Sequence, residues 1–283
     1  MSDRAVSPAS SGAQPPLEAS NDLRPARVPM LSASLRAIGA LTLREVATRY
    51  GRNPGGFAWA VLEPAAGIAF LCLVFQAGFR APPLGTSFAL FYATGILPFF
   101  AFLMTSTAVA QALNRARPLM AYPRISVIDV LLSAGGLAAL VQLAVGTLIL
   151  AGILAWDPAA ARIAPGPMAL AYLMALSLGF GIGTLLALPL TFHPLWQVIW
   201  SVLTRPLIIV SGVILLQERL PDPWRGWLEW NPLVHVTGAA RRAAYPGYAA
   251  DYLDPVYVFA LAGGTGAFGL LMLIGFHRVA LEA

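Results

Sequence analysis

Six stretches of this chain are long and apolar enough to cross a lipid bilayer as helices: Ala58 to Gly78, Phe88 to Ala112, Val127 to Trp156, Met168 to Thr191, Leu195 to Leu216 and Val256 to Phe276. A hydrocarbon core of about 30 Å takes about 20 helical residues, and inside it the backbone must satisfy its own polar groups. The pattern predicts an all-α membrane protein with six transmembrane helices. Only 11% of the residues are charged, against roughly 25% in soluble domains, which argues against an ordinary soluble globule. The single cysteine, Cys72, cannot form an internal disulfide and belongs to no redox or zinc motif.

All 18 basic residues are arginine. A Walker A loop needs its lysine to reach the nucleotide phosphates, so this chain is not a conventional P-loop ATPase. The same absence excludes Schiff-base lysine chemistry. If the work is ATP-driven, a separate subunit must hydrolyse the nucleotide.

Residues 1–30 are rich in Ser, Pro and Ala without the apolar core of a secretory signal, and read as a disordered cytoplasmic tail. Residues 31–57 are expected to form an amphipathic interfacial helix and the approach to the first span: Leu31, Leu35, Ile38 and Val46 share one helical arc, with Arg49 as an imperfection inside it. Residues 58–283 would make up the six-helix domain. Eleven arginines fall on the side of the termini and of the loop from Asn114 to Arg124, and six on the other. The positive-inside rule then makes both termini cytoplasmic. Trp59, Trp196 and Trp200 fall near the inner interface, and Trp156, Trp224, Trp227 and Trp230 near the outer one, as aromatic belts do.

Between the last two spans, residues 217–255 are too polar to cross the bilayer and too aromatic for a free loop. They read as two short re-entrant or interfacial helices broken at Asn231-Pro232. Glu63 and Asp129 lie near cytoplasmic ends of spans, and no carboxylate lies near a midplane, which weakens an ion-driven mechanism. Arg205 falls near the centre of the fifth span, just before Pro206. An arginine at that depth either lines a wet canal, meeting phosphate or acidic sugars, or caps carbonyls freed by Pro206 or pairs with an acid such as Asp129. Trp196 with Trp200, and Trp227 with Trp230, either guide a glycan by stacking or serve as belt residues. Gly264, Gly266 and Gly269 spell GxGxxG without a preceding strand, and fit helix packing better than a dinucleotide site, as do Gly179, Gly181 and Gly183. His193, His235 and His277 lack metal-site spacing, and no catalytic constellation is present.

Three motifs carry a resemblance. LREVATRYGRNPGGFAWAVLEP (Leu43 to Pro64), RPLMAYPRISVIDVL (Arg117 to Leu131) and RPLIIVSGVILLQERLPDPWRGWLEWNPLVHVTGAARRAAYPGY (Arg205 to Tyr248) occur in this order. They resemble the ABC-2 type inner-membrane permeases that export polysaccharides, more the capsular (KpsM-like) branch than the O-antigen exporters, from about Leu41 to the C-terminus.

The resemblance implies a homodimeric permease in the bacterial inner membrane, paired with two copies of a cytoplasmic ATPase that binds ATP and Mg. This chain itself would carry no cofactor. The substrate would be a lipid-linked capsular polysaccharide, with a periplasmic adaptor and an outer-membrane channel continuing the path; no nucleic-acid partner is expected. Arg115, Arg117, Pro118, Tyr122, Pro123 and Arg124 would form the coupling segment seated in the ATPase, and Arg49, Tyr50 and Arg52 a second contact. Prolines stiffen such a loop enough to transmit a push, while topology signalling and binding of lipid headgroups explain the same arginines. Arg205, Trp196 and Trp200 would line the canal. Trp227, Trp230, Asn231, Pro232, His235, Arg241 and Arg242 would form the outer gate. An O-antigen or teichoic-acid type exporter and an ion-driven flippase are the alternatives.

Overall fold

The computed structural model describes residues 30–49, 55–120, 125–158 and 162–282, without the side chains of residues 30–33, 49 and 277–282. Among the described residues there is no strand. In chain order the α-helices are α1 (Met30–Arg49), α2 (Gly56–Gly78), α3 (Phe88–Ala110), α4 (Ala112–Ala116), α5 (Val127–Trp156), α6 (Pro165–Phe192), α7 (Leu195–Val210), α8 (Trp224–Leu228), α9 (Pro232–Ala244) and α10 (Pro255–Glu282).

Local chemistry sets several boundaries. Ser126 and Asp129 form a reciprocal capping box at the start of α5, which satisfies two backbone donors at once. Asn231 caps α9 by accepting from the Leu233 amide at 3.0 Å, and Pro232 occupies its first turn, where a missing N–H costs nothing.

Five helices, α2, α3, α5, α6 and α10, are long and apolar enough to cross a membrane. The fifth expected span differs. It was read as one helix from Leu195 to Leu216, but α7 stops at Val210 after 16 residues, about 24 Å at the usual rise. The helix passes through Pro206 and ends instead at Ser211 and Gly212, where Gly212 takes a φ of 71° that suits glycine. The chain then runs inward, with Ser211, Val213 and Leu216 buried.

The centre of the molecule is α3, which packs against α2, α5, α6 and α9, while α6 also packs against α10. In α3 78% of the most apolar window is buried, but only 11% in α2 and 22% in α10, and α7 has no buried residue. The protein is thus a dense α3–α6 core with α2 and α7 outside it. Glycines allow the closeness of that core. A Cβ on Gly179 or Gly183 would come 2.7 Å from the carbonyl oxygens of Phe102 and Ser106 in α3. On Gly181, facing the opposite way, it would strike the Ala262 carbonyl of α10. The packing reading of these glycines, and of Gly269 against Leu185, therefore fits the contacts. Gly264 has nothing within 4 Å.

Replacing Gly183 with Leu should destabilise the protein by about 1–3 kcal/mol, the usual cost of overpacking. Gly136→Ala, where nothing lies within 4 Å, should not. Thermal unfolding of the two detergent-solubilised variants checks this.

Candidate functional site: two polar joints at the ends of α7

The first joint is on the side expected to face the cytoplasm. Ser34, Ile38, Leu41 and Glu45, at helical spacing, are the partly buried face of α1, which packs against α5. Leu35, Leu43 and Val46 are exposed. Of the apolar arc expected of this helix, Leu35 and Val46 are thus exposed and Ile38 turns toward the protein, where Ser34, Leu41 and Glu45 join it. Through that face Glu45 meets Arg115 of α4, with Glu45 Oε1 2.9 Å from Arg115 Nη2. The pair attracts by charge, while the same Nη2 donates to the Ala108 carbonyl at 2.7 Å.

Arg115 Nη1 donates to Gln111 Oε1 at 3.1 Å. Gln111 Nε2 donates in turn to Gln197 Oε1, in the first turn of α7, at 2.9 Å. The direction of this relay is dictated by chemistry. A guanidinium only donates, so the Gln111 oxygen must face it, leaving the amide nitrogen for Gln197. Asn114 anchors the segment further by donating to the Leu190 carbonyl of α6 at 3.0 Å.

Arg117 and Pro118, in the 3-10 turn that follows α4, are exposed. Tyr50, Arg52, Tyr122, Pro123 and Arg124 lie outside the described residues, as does the Arg49 side chain and the N-terminal tail to Pro29. The structure thus places Arg115 against α1, with Arg117 and Pro118 exposed in the turn that follows. Glu45, Gln111 and Gln197 were not singled out from sequence. Glu45, the one acid in α1, offered a faint signal, and the two glutamines offered none.

Along α7, Arg205 is exposed and makes no hydrogen bond or ion pair with any described residue. Both quieter readings of it therefore lack a partner. Asp129 is engaged in its capping box, and Pro206 lies within an unbroken helix. Trp196 is 43% exposed, whereas Trp200 packs edge-on against Phe102, with ring centroids 6.4 Å apart. The canal candidates therefore sit differently: Trp200 is partly tied to the core, and Arg205 projects away from it.

The second joint is at the other end. Where α7 stops, carbonyls lose their helical donors, and α9 supplies replacements. Asn231 Nδ2 donates to Val210 O at 3.0 Å, Thr237 Oγ1 to Ser211 O at 2.9 Å, and Arg241 Nη2 to Val213 O at 3.1 Å. Arg241 is 1% exposed, and its guanidinium lies 4.4 Å from the centroid of the Phe91 ring, an arrangement favoured by cation–π attraction. Its neighbour Arg242 is exposed.

His235 is buried between two backbone groups. The Asp254 amide donates to its Nδ1 at 3.1 Å, so the proton belongs on Nε2, which lies 2.8 Å from the Glu229 carbonyl. Glu218 accepts from the Tyr248 hydroxyl at 2.6 Å. Burial foremost, and then the neighbouring Tyr252 and Glu218, hold that hydroxyl well above the usual tyrosine range, so it stays a donor. Trp227 and Trp230 are 63% and 77% exposed. The expected gate residues thus divide into buried His235 and Arg241, half-buried Asn231 and Pro232 at the start of α9, and exposed Trp227, Trp230 and Arg242. Among the described residues no group of three metal-ligating side chains occurs.

Residues 36–245 match the ABC-2 type transporter family, a span that includes both joints and all of α7. The chain belongs to that family. It is 29% identical to the polysialic acid transport protein KpsM of Escherichia coli over 223 residues, 78% of this chain and 86% of that one. It is 26% identical to the capsule polysaccharide export inner-membrane protein CtrC of Neisseria meningitidis serogroup B, covering 88% and 94%. It is also 25% identical to the capsule polysaccharide export inner-membrane protein BexB of Haemophilus influenzae, covering 86% and 92%. The family assignment fits the resemblance seen in the three motifs.

Thr237→Val keeps the shape of the side chain but leaves the buried Ser211 carbonyl without its donor. The expected loss is about 1–3 kcal/mol of stability, read by thermal or denaturant unfolding in detergent; an unchanged midpoint would show that water replaces the hydroxyl.

Proposed function

We propose that this chain is the permease subunit of an ATP-driven exporter that carries lipid-linked capsular polysaccharide across the bacterial inner membrane, with both termini cytoplasmic. Its place in the ABC-2 family, together with the capsule-export names of relatives that align over most of their length, carries the reading. Two copies would form the working unit with two copies of a cytoplasmic ATPase, which binds ATP and Mg. A periplasmic adaptor and an outer-membrane channel would receive the polymer.

On this reading the arginines of α4 and the turn after it, with the end of α1, form the surface on which the ATPase pushes. The exposed faces of α2 and α7 are suited to meet the second copy around a canal. Arg205 would point into that canal, where a guanidinium can hold phosphate or sugar carboxylate through paired hydrogen bonds. The α8–α9 segment would close the outer end. This chain's share of the work is to transmit motion and to bind polymer weakly; the chemistry of ATP cleavage stays with the partner.

Arg205→Gln should lower polymer export by roughly 10- to 100-fold, the equivalent of one charge-assisted hydrogen bond, while the ATPase still co-purifies. Surface polysaccharide measured beside a pull-down reads both. Export that persists with a hydrolysis-dead ATPase would refute the ATP-driven reading itself.

A further inference from the structure

The outer helix α7 touches the rest of the protein lightly. It has no buried residue, and among other helices its main contact is with α6, which precedes it across His193-Pro194. Hydrogen bonds are nonetheless concentrated at its two ends. At the start, Gln197 accepts from Gln111, whose own oxygen is held by Arg115, the arginine paired with Glu45. At the far end, α9 holds the carbonyls of Val210, Ser211 and Val213. Between these points α7 offers partly buried Trp200, Leu207 and Ile208 to the core. Elsewhere it is mostly exposed.

We infer that α7 is a transmission rod and that the Gln111–Gln197 hydrogen bond is its inner joint, with Gln111 and Gln197 acting as positioning residues for transport. This rests on the exporter reading above and adds to it the path by which a push on α4 reaches the canal wall and the outer gate. A displacement of Arg115 pulls on the Gln111 oxygen. Because the two ends of one amide are rigidly connected, the Gln111 nitrogen moves with it and carries the first turn of α7. The helix, 16 residues long, moves as a unit because its own ladder is stiffer than its few lateral contacts. At Ser211 and Gly212 the helix has already ended, so the rod can tilt there while α9 keeps its grip on the freed carbonyls. Physical coupling of this kind needs an element with a defined joint at each end, and α7 has both.

The polarity of the joint gives a test that loss of packing does not mimic. Gln197→Glu keeps an oxygen for the Gln111 amide nitrogen, so export should be retained. Gln111→Glu can still receive Arg115, and the Gln197 amide can turn so that its nitrogen donates to the new carboxylate, so export should be retained there as well. The double variant Gln111→Glu with Gln197→Glu sets two acceptors face to face with no donor between them. Export should then fall by roughly 3- to 10-fold, the factor that one net hydrogen bond represents. Gln197→Ala should fall similarly, and adding Gln111→Glu to it should cost nothing more.

Surface polymer, ATP hydrolysis by the purified complex and co-purification of the ATPase should be measured together. The expected result is lost export with hydrolysis and assembly intact, confined to the double Glu variant and the variants carrying Gln197→Ala. Loss of export in Gln111→Glu or Gln197→Glu alone, normal export by the double Glu variant, or normal export by Gln197→Ala would overturn the joint. If the unmodified chain fails to bind any ATPase, the exporter reading fails before the joint is tested.

Discussion

A chain that stops being helical inside a membrane protein must find new donors for the carbonyls it releases, since hydrocarbon supplies none. This constraint governs the end of α7. Val210, Ser211 and Val213 would each be an orphaned acceptor without Asn231, Thr237 and Arg241. That requirement explains why a short helix with small residues is driven into the core. Ala239, Ala240, Ala243 and Ala244, all buried, let α9 approach α3 and α6 closely enough for Thr237, Arg241 and the capping Asn231 to reach the break. Arg241 bears the largest desolvation cost, offset by its carbonyl acceptor and the Phe91 face.

The two ends of α7 differ in kind. At the outer end side chains bond to backbone, so the sequence of residues 210–213 matters less than their carbonyls do. At the inner end side chain bonds to side chain, through Glu45, Arg115, Gln111 and Gln197. A backbone acceptor is always present, whereas a side-chain partner can be lost or altered by one substitution. The inner end is therefore the more easily altered of the two.

Much of the architecture was legible because hydrophobic length is a strong local signal. The limits of α2, α3, α5 and α6 fall within a few residues of the expected spans. The fifth span, expected to run unbroken to Leu216, ends at Val210, although Pro206, the obvious local breaker, is tolerated inside α7. The real end at Ser211 is decided by donors on α9, 20 or more residues further along. The burial of Arg241 and exposure of Arg242 are likewise decided by neighbours and by no difference in residue type. Gln111 and Gln197 stand 86 residues apart, and neither belongs to a motif, so only the folded chain brings them to notice. Arg115 and Arg205 were visible beforehand because charge beside or within an apolar run is conspicuous; what each one touches was not.

The glycines of α6 set a limit on how room can be made. With Gly179 and Gly183 against α3 and Gly181 against α10, this helix is clamped backbone to backbone on opposite sides. Contacts of this kind leave little between the helices that could swing aside, so this part of the core resists being spread. Room is more readily made along the margin, where α2 and α7 are largely exposed.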